Sequence, residues 1–351
     1  MNRPHRWIKR LWSGKRPPPR GALILAYHRV TQLASDPQWL SVTPQHFAEH
    51  LEVLVSGCQT LKLAELTDRG RPGGLPPRAV VVTFDDGYAD NLHEAKPLLD
   101  KAGVPATVFV TTGKLNEPSE FWWDGLEDLL LQTLELPPAL TLTLAGAQRT
   151  WSLENGGDRQ QTGAGATSGW NVAMANDPTP RHRLYRELAP LLRDLDQTGR
   201  ETALDYVARW AGATRRVRPS HRTLSAEEIR RLAADGLVEI GAHTVTHSVL
   251  SRQPPQAQQH ELEQSKAVLD DILARPVLSC SYPFGTRADY TDETVRLAGR
   301  AGYRRACSNF EGIAHARTPP LELPRFLVLD WDGDGFARQL EGWFGYADSA
   351  G

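Results

Sequence analysis

The 351-residue sequence predicts an α/β fold whose parallel sheet is closed, or nearly closed, into a barrel, and three observations carry that expectation. Strand-like runs recur at Ala22 to Tyr27, Thr60 to Leu63, Ala79 to Phe84, Ala106 to Thr111, Leu237 to Ile240, Val277 to Tyr282, Tyr303 to Cys307 and Phe326 to Leu329. Helical patterns lie between most of these runs, so successive strands need crossover connections and run parallel. Finally, Val80-Val81-Val82-Thr83-Phe84 is an apolar, β-branched run that stops on Asp85-Asp86-Gly87, as a buried strand does when it delivers polar groups to its mouth. An open doubly wound sheet is the competing arrangement.

The elements follow in order. Residues 1–20 hold Arg3, Arg6, Lys9, Arg10, Lys15, Arg16 and Arg20 and no acid, interleaved with Trp7, Ile8, Leu11 and Trp12. Such a segment suits peripheral contact with an anionic membrane, or is a basic tail without fixed structure. The run Gly21 to Tyr27 is too short for a signal peptide's apolar core or a membrane span, so a cytoplasmic protein without a cleavable signal is expected. Thr43 and Pro44 open a helix with Phe47, Leu51 and Leu54 on one face. Ser225-Ala226-Glu227-Glu228 is a capping box, with Gly236 ahead of the next strand. Leu262, Val268, Leu269, Ile272 and Leu273 mark another amphipathic helix, and Thr291 to Gly302 a shorter one.

The rhythm breaks between about residues 117 and 220. There the sequence carries Phe121-Trp122-Trp123-Asp124, the alternating strand Leu140-Thr141-Leu142-Thr143-Leu144, a Gly/Gln/Ser-rich stretch near Asn155 to Gly169, and helix-prone residues from His182 to Trp210. This is expected to be a mixed α+β insertion on one barrel loop, within a domain spanning 21–346. Phe121, Trp122 and Trp123 form either a sugar-stacking platform or, the commoner use of such a cluster, a packing contact. A formal net charge of -2 excludes a general nucleic-acid binder. Cys58, Cys280 and Cys307 are few and scattered, as core cysteines of a reducing compartment are.

Four groups carry chemistry. Asp85 and Asp86 are adjacent carboxylates, which persist together where a cation or a proton separates their roles; alone, Asp-Asp-Gly is equally a solvated turn. His243 and His247 are four apart, a spacing that places both on one face of a helical turn and that a metal can use, although alone it also fits two surface histidines. Joined to Asp86 they offer two imidazoles and a carboxylate with room for water. Ser281-Tyr282-Pro283-Phe284-Gly285 shapes a tight loop whose N–H groups and aromatic walls could line a pocket, or is an ordinary turn. Ala26-Tyr27-His28-Arg29 closes the first strand. All four fall at the C-terminal ends of strands, which share one face of a barrel.

Thr83-Phe84-Asp85-Asp86-Gly87, His243-Thr244-x-x-His247 and Tyr282-Pro283-Phe284-Gly285, in this order, resemble the polysaccharide deacetylases, the NodB-homology or carbohydrate esterase family 4 group. The resemblance covers about residues 21–116 and 221–330 and leaves the insertion outside. It implies a distorted (β/α)7-type barrel and one divalent metal, zinc first, with cobalt, nickel or iron also suited. It also implies hydrolysis of N-acetyl, sometimes O-acetyl, groups on a glycan: a polysaccharide, an oligosaccharide or a lipid-linked sugar.

By position, Asp86, His243 and His247 resemble the family's metal ligands and Asp85 its general base, with a loop N–H such as that of Tyr282 for the oxyanion. Tyr282, Pro283, Phe284, Gly285 and Arg325 are the candidate substrate contacts. Two features depart from the pattern. The family's late Leu-x-His histidine has no good match, since His315 lies in Ile313-Ala314-His315-Ala316; His28 resembles the N-terminal acid of a branch that includes poly-N-acetylglucosamine deacetylases. The third motif's arginine is absent, Ser279 and Cys280 occupying that region, and Arg325 is expected to restrain Asp85 instead. A barrel that binds glycans without catalysis is the alternative.

Overall fold

A computed structural model describes residues 21–66, 74–115, 120–144, 146–153 and 169–346. The basic segment 1–20 and most of the Gly/Gln/Ser-rich stretch lie outside these residues. The chain forms two compact units, of which the larger holds the segments up to Gln32, Leu40–Asn116 and Leu224 onward.

The larger unit contains β1 (Ala22–Tyr27), β2 (Arg29–Val30), β3 (Ser41–Val42), β4 (Gln59–Thr60), β5 (Ala79–Phe84) and β6 (Ala106–Val110). After β7 (Ala139–Leu144) and β8 (Ala147–Ser152) of the smaller unit come β9 (Val238–Ala242), β10 (Ser279–Ser281), β11 (Arg305–Cys307) and β12 (Phe326–Leu327). The main sheet has the order β11-β10-β9-β6-β5-β1-β12, with β4 beside the start of β5, and its pairings are parallel. Its edges approach through a parallel bridge between Cys307 and Leu323, just ahead of β12, and through a bond from the Arg325 N–H to the Phe310 carbonyl. The sheet therefore curls into an incompletely closed barrel, the distorted form expected.

Period-two alternation sorts each strand's residues onto two faces. Leu23, Leu25, Tyr27, Val80, Val82 and Phe84 pack outward under the helices, whereas Ala22, Ile24, Val81, Phe109, Cys307 and Leu323 fill the barrel. Both faces are buried, as a parallel sheet requires, and each such Val, Leu or Phe contributes roughly 1.5–3 kcal/mol. Gly241 is needed inside, because a Cβ there would stand 2.3 Å from the Phe109 ring.

The helices form where their caps lie. Thr43 accepts a bond from the His46 N–H at the head of Pro44–Gly57, and Ser225 with Glu228 completes the capping box of Ala226–Leu232. Several strands are shorter than their apolar runs: Leu63 begins a short helix, and Val277 and Leu278 precede β10.

One core histidine sets an acid limit. His50 sits on the first long helix, stacked 4.1 Å from Phe336, with Nε2 donating to the Trp331 carbonyl at 2.7 Å and Nδ1 3.3 Å from the Tyr27 hydroxyl. Burial drives it down to about 4 despite the Trp331 carbonyl. The fold holds the neutral ring, whereas the unfolded chain takes a proton near pH 6.5. The stability this contributes is complete above that pH and lost as the pH falls toward 4, on the order of 3 kcal/mol. Urea midpoints at several pH values should show that loss in the wild type and a flatter acid limb in His50→Phe.

The smaller unit comprises Leu33–Trp39 and Glu117–Thr223. Its hairpin of β7 and β8 is antiparallel, with Leu140, Leu142 and Leu144 buried on alternate positions. Its main helices are Trp122–Glu127, Pro180–Arg193 and Gln197–Trp210. Phe121 stacks on Trp123 at 4.4 Å, and with Trp122 both are buried, so the aromatic cluster packs and offers no open platform. The segment 33–39, unassigned from sequence, joins this unit through Val172 N–H to the Pro37 carbonyl and Gln38 to the Tyr185 hydroxyl. Arg218 pairs with the buried Glu120 and Glu127. Arg218→Ala would leave two acids uncompensated; because Arg218 is partly solvated, a loss near the lower end of about 3–5 kcal/mol is expected in denaturant melts.

Candidate metal centre and active site

The groups singled out in the sequence do lie just past strand ends: His28 after β1, Asp85 and Asp86 after β5, His243 after β9 and Tyr282 after β10. Neighbouring side chains on an extended strand point to opposite faces, so Asp85 and Asp86 could not both enter the barrel mouth on a straight chain. Asp86 and Gly87 take left-handed conformations, φ 73° and 77°, and the chain turns there. Space allows no Cβ at Gly87 without crowding the Val110 backbone at 3.2 Å.

His243 and His247 are brought together differently from the helical turn expected. The segment after β9 is irregular, with Thr244 and His247 at φ 62° and 54°. Glu261, on the helix Pro255–Leu273, accepts the N–H groups of Val245 and Thr246 at 2.8 and 2.9 Å and the Thr246 hydroxyl at 2.6 Å. Thr244 Oγ1 accepts the His247 N–H. These bonds hold a conformation that Thr and His rarely adopt, and such strain concentrates at functional sites.

The outcome is a compact donor set. Ligand atoms of Asp86, His243 and His247 all lie within 4.8 Å of one another, and all three residues are buried. Asp86 Oδ1 stands 3.5 Å from His243 Nε2 and 3.3 Å from His247 Nε2, without a hydrogen bond of good geometry. His243 Nδ1 donates to the Ser281 carbonyl at 2.8 Å, an acceptor only, which leaves the Nε2 lone pair aimed at Asp86. Burial pushes His243 down to about 4 even beside Asp85, so the ring is neutral. Burial opposes ionisation of Asp86, yet the facing histidines, His247 foremost, hold its carboxyl below the usual range. Two imidazoles and an orphaned carboxylate oxygen fit a divalent metal with open positions.

Asp85 is secured by Arg325. Arg325 sits in the barrel seam, between the Leu323 bridge and β12, and is buried. It grips both Asp85 oxygens, Nη1 to Oδ1 at 2.7 Å and Nη2 to Oδ2 at 2.6 Å. Its remaining donors go to the Thr83 hydroxyl, the Ser281 hydroxyl and the Ser308 carbonyl. All five N–H groups are thus engaged, and Arg325 is no substrate contact. Burial opposes the charge on Asp85, but the guanidinium holds its carboxyl well below the usual carboxylate range. His28 follows β1 and lies near enough to both carboxylates to add, behind the larger causes, to the lowering of each.

Tyr282 also departs from expectation. Its N–H donates to the Cys307 carbonyl at 3.0 Å, its ring stacks on Tyr290 and its hydroxyl bonds the Leu321 carbonyl, so neither end is free for substrate or oxyanion. Of the same loop, Phe284 reaches the site: its ring meets His247 edge-on at 4.8 Å, on a backbone at φ 60°. Pro283 and Gly285 shape that turn through a 2.6 Å bond from the Gly285 N–H to the Pro283 carbonyl. His315 lies at the opposite end of the barrel, beside a cavity of about 580 Å³ that also meets Glu65 and Arg304. Glu261 was missed as a site residue, the buried face of its helix being the signal available, and Ser281 was singled out only as the start of the third motif, without its contacts to Asp85 and Arg325.

The family profile described as polysaccharide deacetylase matches residues 73–136 and 174–306, more than half of the chain. The match runs into the region set outside the resemblance and omits only 137–173 of it. YxkH of Bacillus subtilis, whose name assigns it provisionally to the polysaccharide deacetylases, is 22% identical over 341 residues, 95% of this chain and 79% of that protein. The poly-β-1,6-N-acetyl-D-glucosamine N-deacetylase of Escherichia coli K12 is 33% identical over 91 residues, 25% of this chain and 14% of that one.

Among solved structures, the Streptococcus pyogenes deacetylase PplD in complex with acetate superposes with TM-score 0.55 at 19% identity, covering 92% of this chain and 99% of that one. IcaB from Ammonifex degensii does so with TM-score 0.55 at 18% identity, covering 93% and 97%. At such identities the likeness is one of fold. Because the family profile extends over both the strand that leads into Asp85 and the loop that carries His247, the chain belongs to the polysaccharide deacetylase family.

Proposed function

We propose that this chain hydrolyses N-acetyl groups of a glycan, with Asp86, His243 and His247 holding one divalent metal, Asp85 as general base and His28 as general acid. The observation that carries it is the buried Asp86-His243-His247 set beside a carboxylate kept ionised by Arg325. Zinc suits two imidazoles and a carboxylate, as do cobalt, nickel and iron. When bound, the cation would acidify water and polarise the acetamide carbonyl.

The protein's own groups supply the rest. Asp85 takes a proton from the attacking water at an oxygen whose position Arg325 fixes. The amine is too basic to leave as an anion, so its nitrogen must gain a proton as the C–N bond breaks, and His28 is the residue to which we assign that role. Phe284 walls the site beside His247. The Escherichia coli relative's name supports a polymer of N-acetylglucosamine as substrate class.

Acetate release from N-acetylated oligosaccharides by metal-reconstituted protein tests the proposal. Release by the wild type and none by Asp86→Ala is expected. No release from protein that still binds metal would overturn it in favour of a glycan-binding barrel. We further propose that residues 1–20 tether a cytoplasmic enzyme to anionic membrane; fractionation unchanged by their removal would exclude that tether.

A further inference from the structure

The loop that carries His28 is fastened by a second pair of residues downstream of the acidic pair. Asn91 Nδ2 donates to the His28 carbonyl at 2.9 Å and to Asp90 Oδ1 at 3.3 Å. Both partners can only accept, which fixes the orientation of the amide. Asp90 in turn accepts the Val30 N–H at 3.1 Å and Arg29 Nε at 3.0 Å. The Arg29 guanidinium lies 4.1 Å over the Tyr88 ring, and Asn91, Arg29 and Tyr88 are all buried.

The chain on either side of His28 is therefore gripped from one place. On its near side, the Asp85 N–H donates to the Tyr27 carbonyl at 3.0 Å, so the peptides around His28 and around Asp85 form one hydrogen-bonded body. Asn91 opens a π-helical turn, Asn91–Ala95, ahead of the helix Lys96–Ala102. Pro97 crowds the turn before it and offers no N–H, which favours the wider turn; such turns recur at functional sites. Asn91 Oδ1 is buried without a hydrogen bond, a cost that a merely structural amide would not be expected to carry.

We propose that Asn91 and Asp90 are positioning residues that hold His28 at the nitrogen of the departing amine. The proposal rests on the reading of His28 as the general acid. A proton donor displaced by about 1 Å can lose on the order of 100-fold in rate. An aryloxide, unlike an amine, leaves without a proton, so the clamp matters for N-acetyl substrates far more than for an aryl acetate.

The experiment compares kcat for an N-acetylated oligosaccharide with kcat for an aryl acetate, in Asn91→Ala, His28→Ala and the double variant, all metal-loaded. Asn91→Ala is expected to lower the amide-to-ester ratio about 10- to 100-fold, with KM and metal content retained. In the His28→Ala background the same change should add no more than about twofold. A silent Asn91→Ala beside an impaired His28→Ala overturns the clamp alone, as does an equal loss on both substrates or a loss that multiplies with His28→Ala. Full N-deacetylation by His28→Ala overturns the acid assignment itself, and the clamp's role with it. If Asn91→Ala does not fold, Asp90→Asn keeps the shape while removing the negative charge that pairs with Arg29; a ratio lowered about threefold or more supports the clamp and an unchanged ratio overturns it.

Discussion

Arg325→Met is expected to destabilise the protein by about 3–5 kcal/mol and to slow acetate release at least about 100-fold. Arg325 and Asp85 are both buried, and the pair is bidentate. Removing the guanidinium leaves a carboxylate that burial alone would drive up, so Asp85 would bind a proton at a pH where the wild type binds none. The Ser281 hydroxyl, 3.2 Å from Asp85 Oδ2, cannot replace two charge-assisted bonds. Arg325→Lys should recover part of the stability but little of the rate, since one ammonium cannot hold both oxygens. Denaturant midpoints read the first effect. The pH profile of kcat reads the second: with Asp85 ionised throughout, the wild type has no acid limb from this group, whereas the variants gain one. A wild-type profile in Arg325→Met would show that Asp85 needs no partner.

What was legible in the sequence tracks how local each determinant is. The strand into Asp85 and the caps at Thr43 and Ser225 are encoded by adjacent residues, and they occur where expected. The spacing of His243 and His247 marked a shared site but not its backbone. Thr244 and His247 sit at positive φ because Glu261, sixteen residues on, holds two N–H groups of that loop, and no local propensity announces this. Arg325 could be suspected as a substitute for a missing arginine, but its place in the seam depends on how the barrel closes. Tyr282 was misjudged for a similar reason: its N–H belongs to the pairing with β11, a contact between chain segments that only the sheet order reveals. Asn91 drew no notice, since an asparagine near a helix start reads as a cap until its carbonyl partner is known.

Asp85→Asn is expected to lower kcat by roughly 10²–10⁴ with little change in KM, while the protein continues to bind metal. Asp86→Ala is expected to lose the metal instead. The contrast follows from where each carboxylate points. Asp86 Oδ1 faces the Nε2 atoms of both histidines at 3.3 and 3.5 Å, whereas Asp85 Oδ2 stands 3.9 Å from His243 Nε2 and both Asp85 oxygens are held by Arg325. An asparagine at 85 keeps the size of the side chain but cannot take a proton, and its amide would set an N–H donor against the guanidinium. Some loss of stability therefore accompanies the loss of rate, and melts must establish that the variant is folded at the assay temperature. Metal content measured on the same preparations separates the two roles. Full activity in Asp85→Asn would remove Asp85 as the base. Loss of metal from both variants would make Asp85 a fourth ligand, and the water-activating group would then have to be sought among His28 and the surrounding loops.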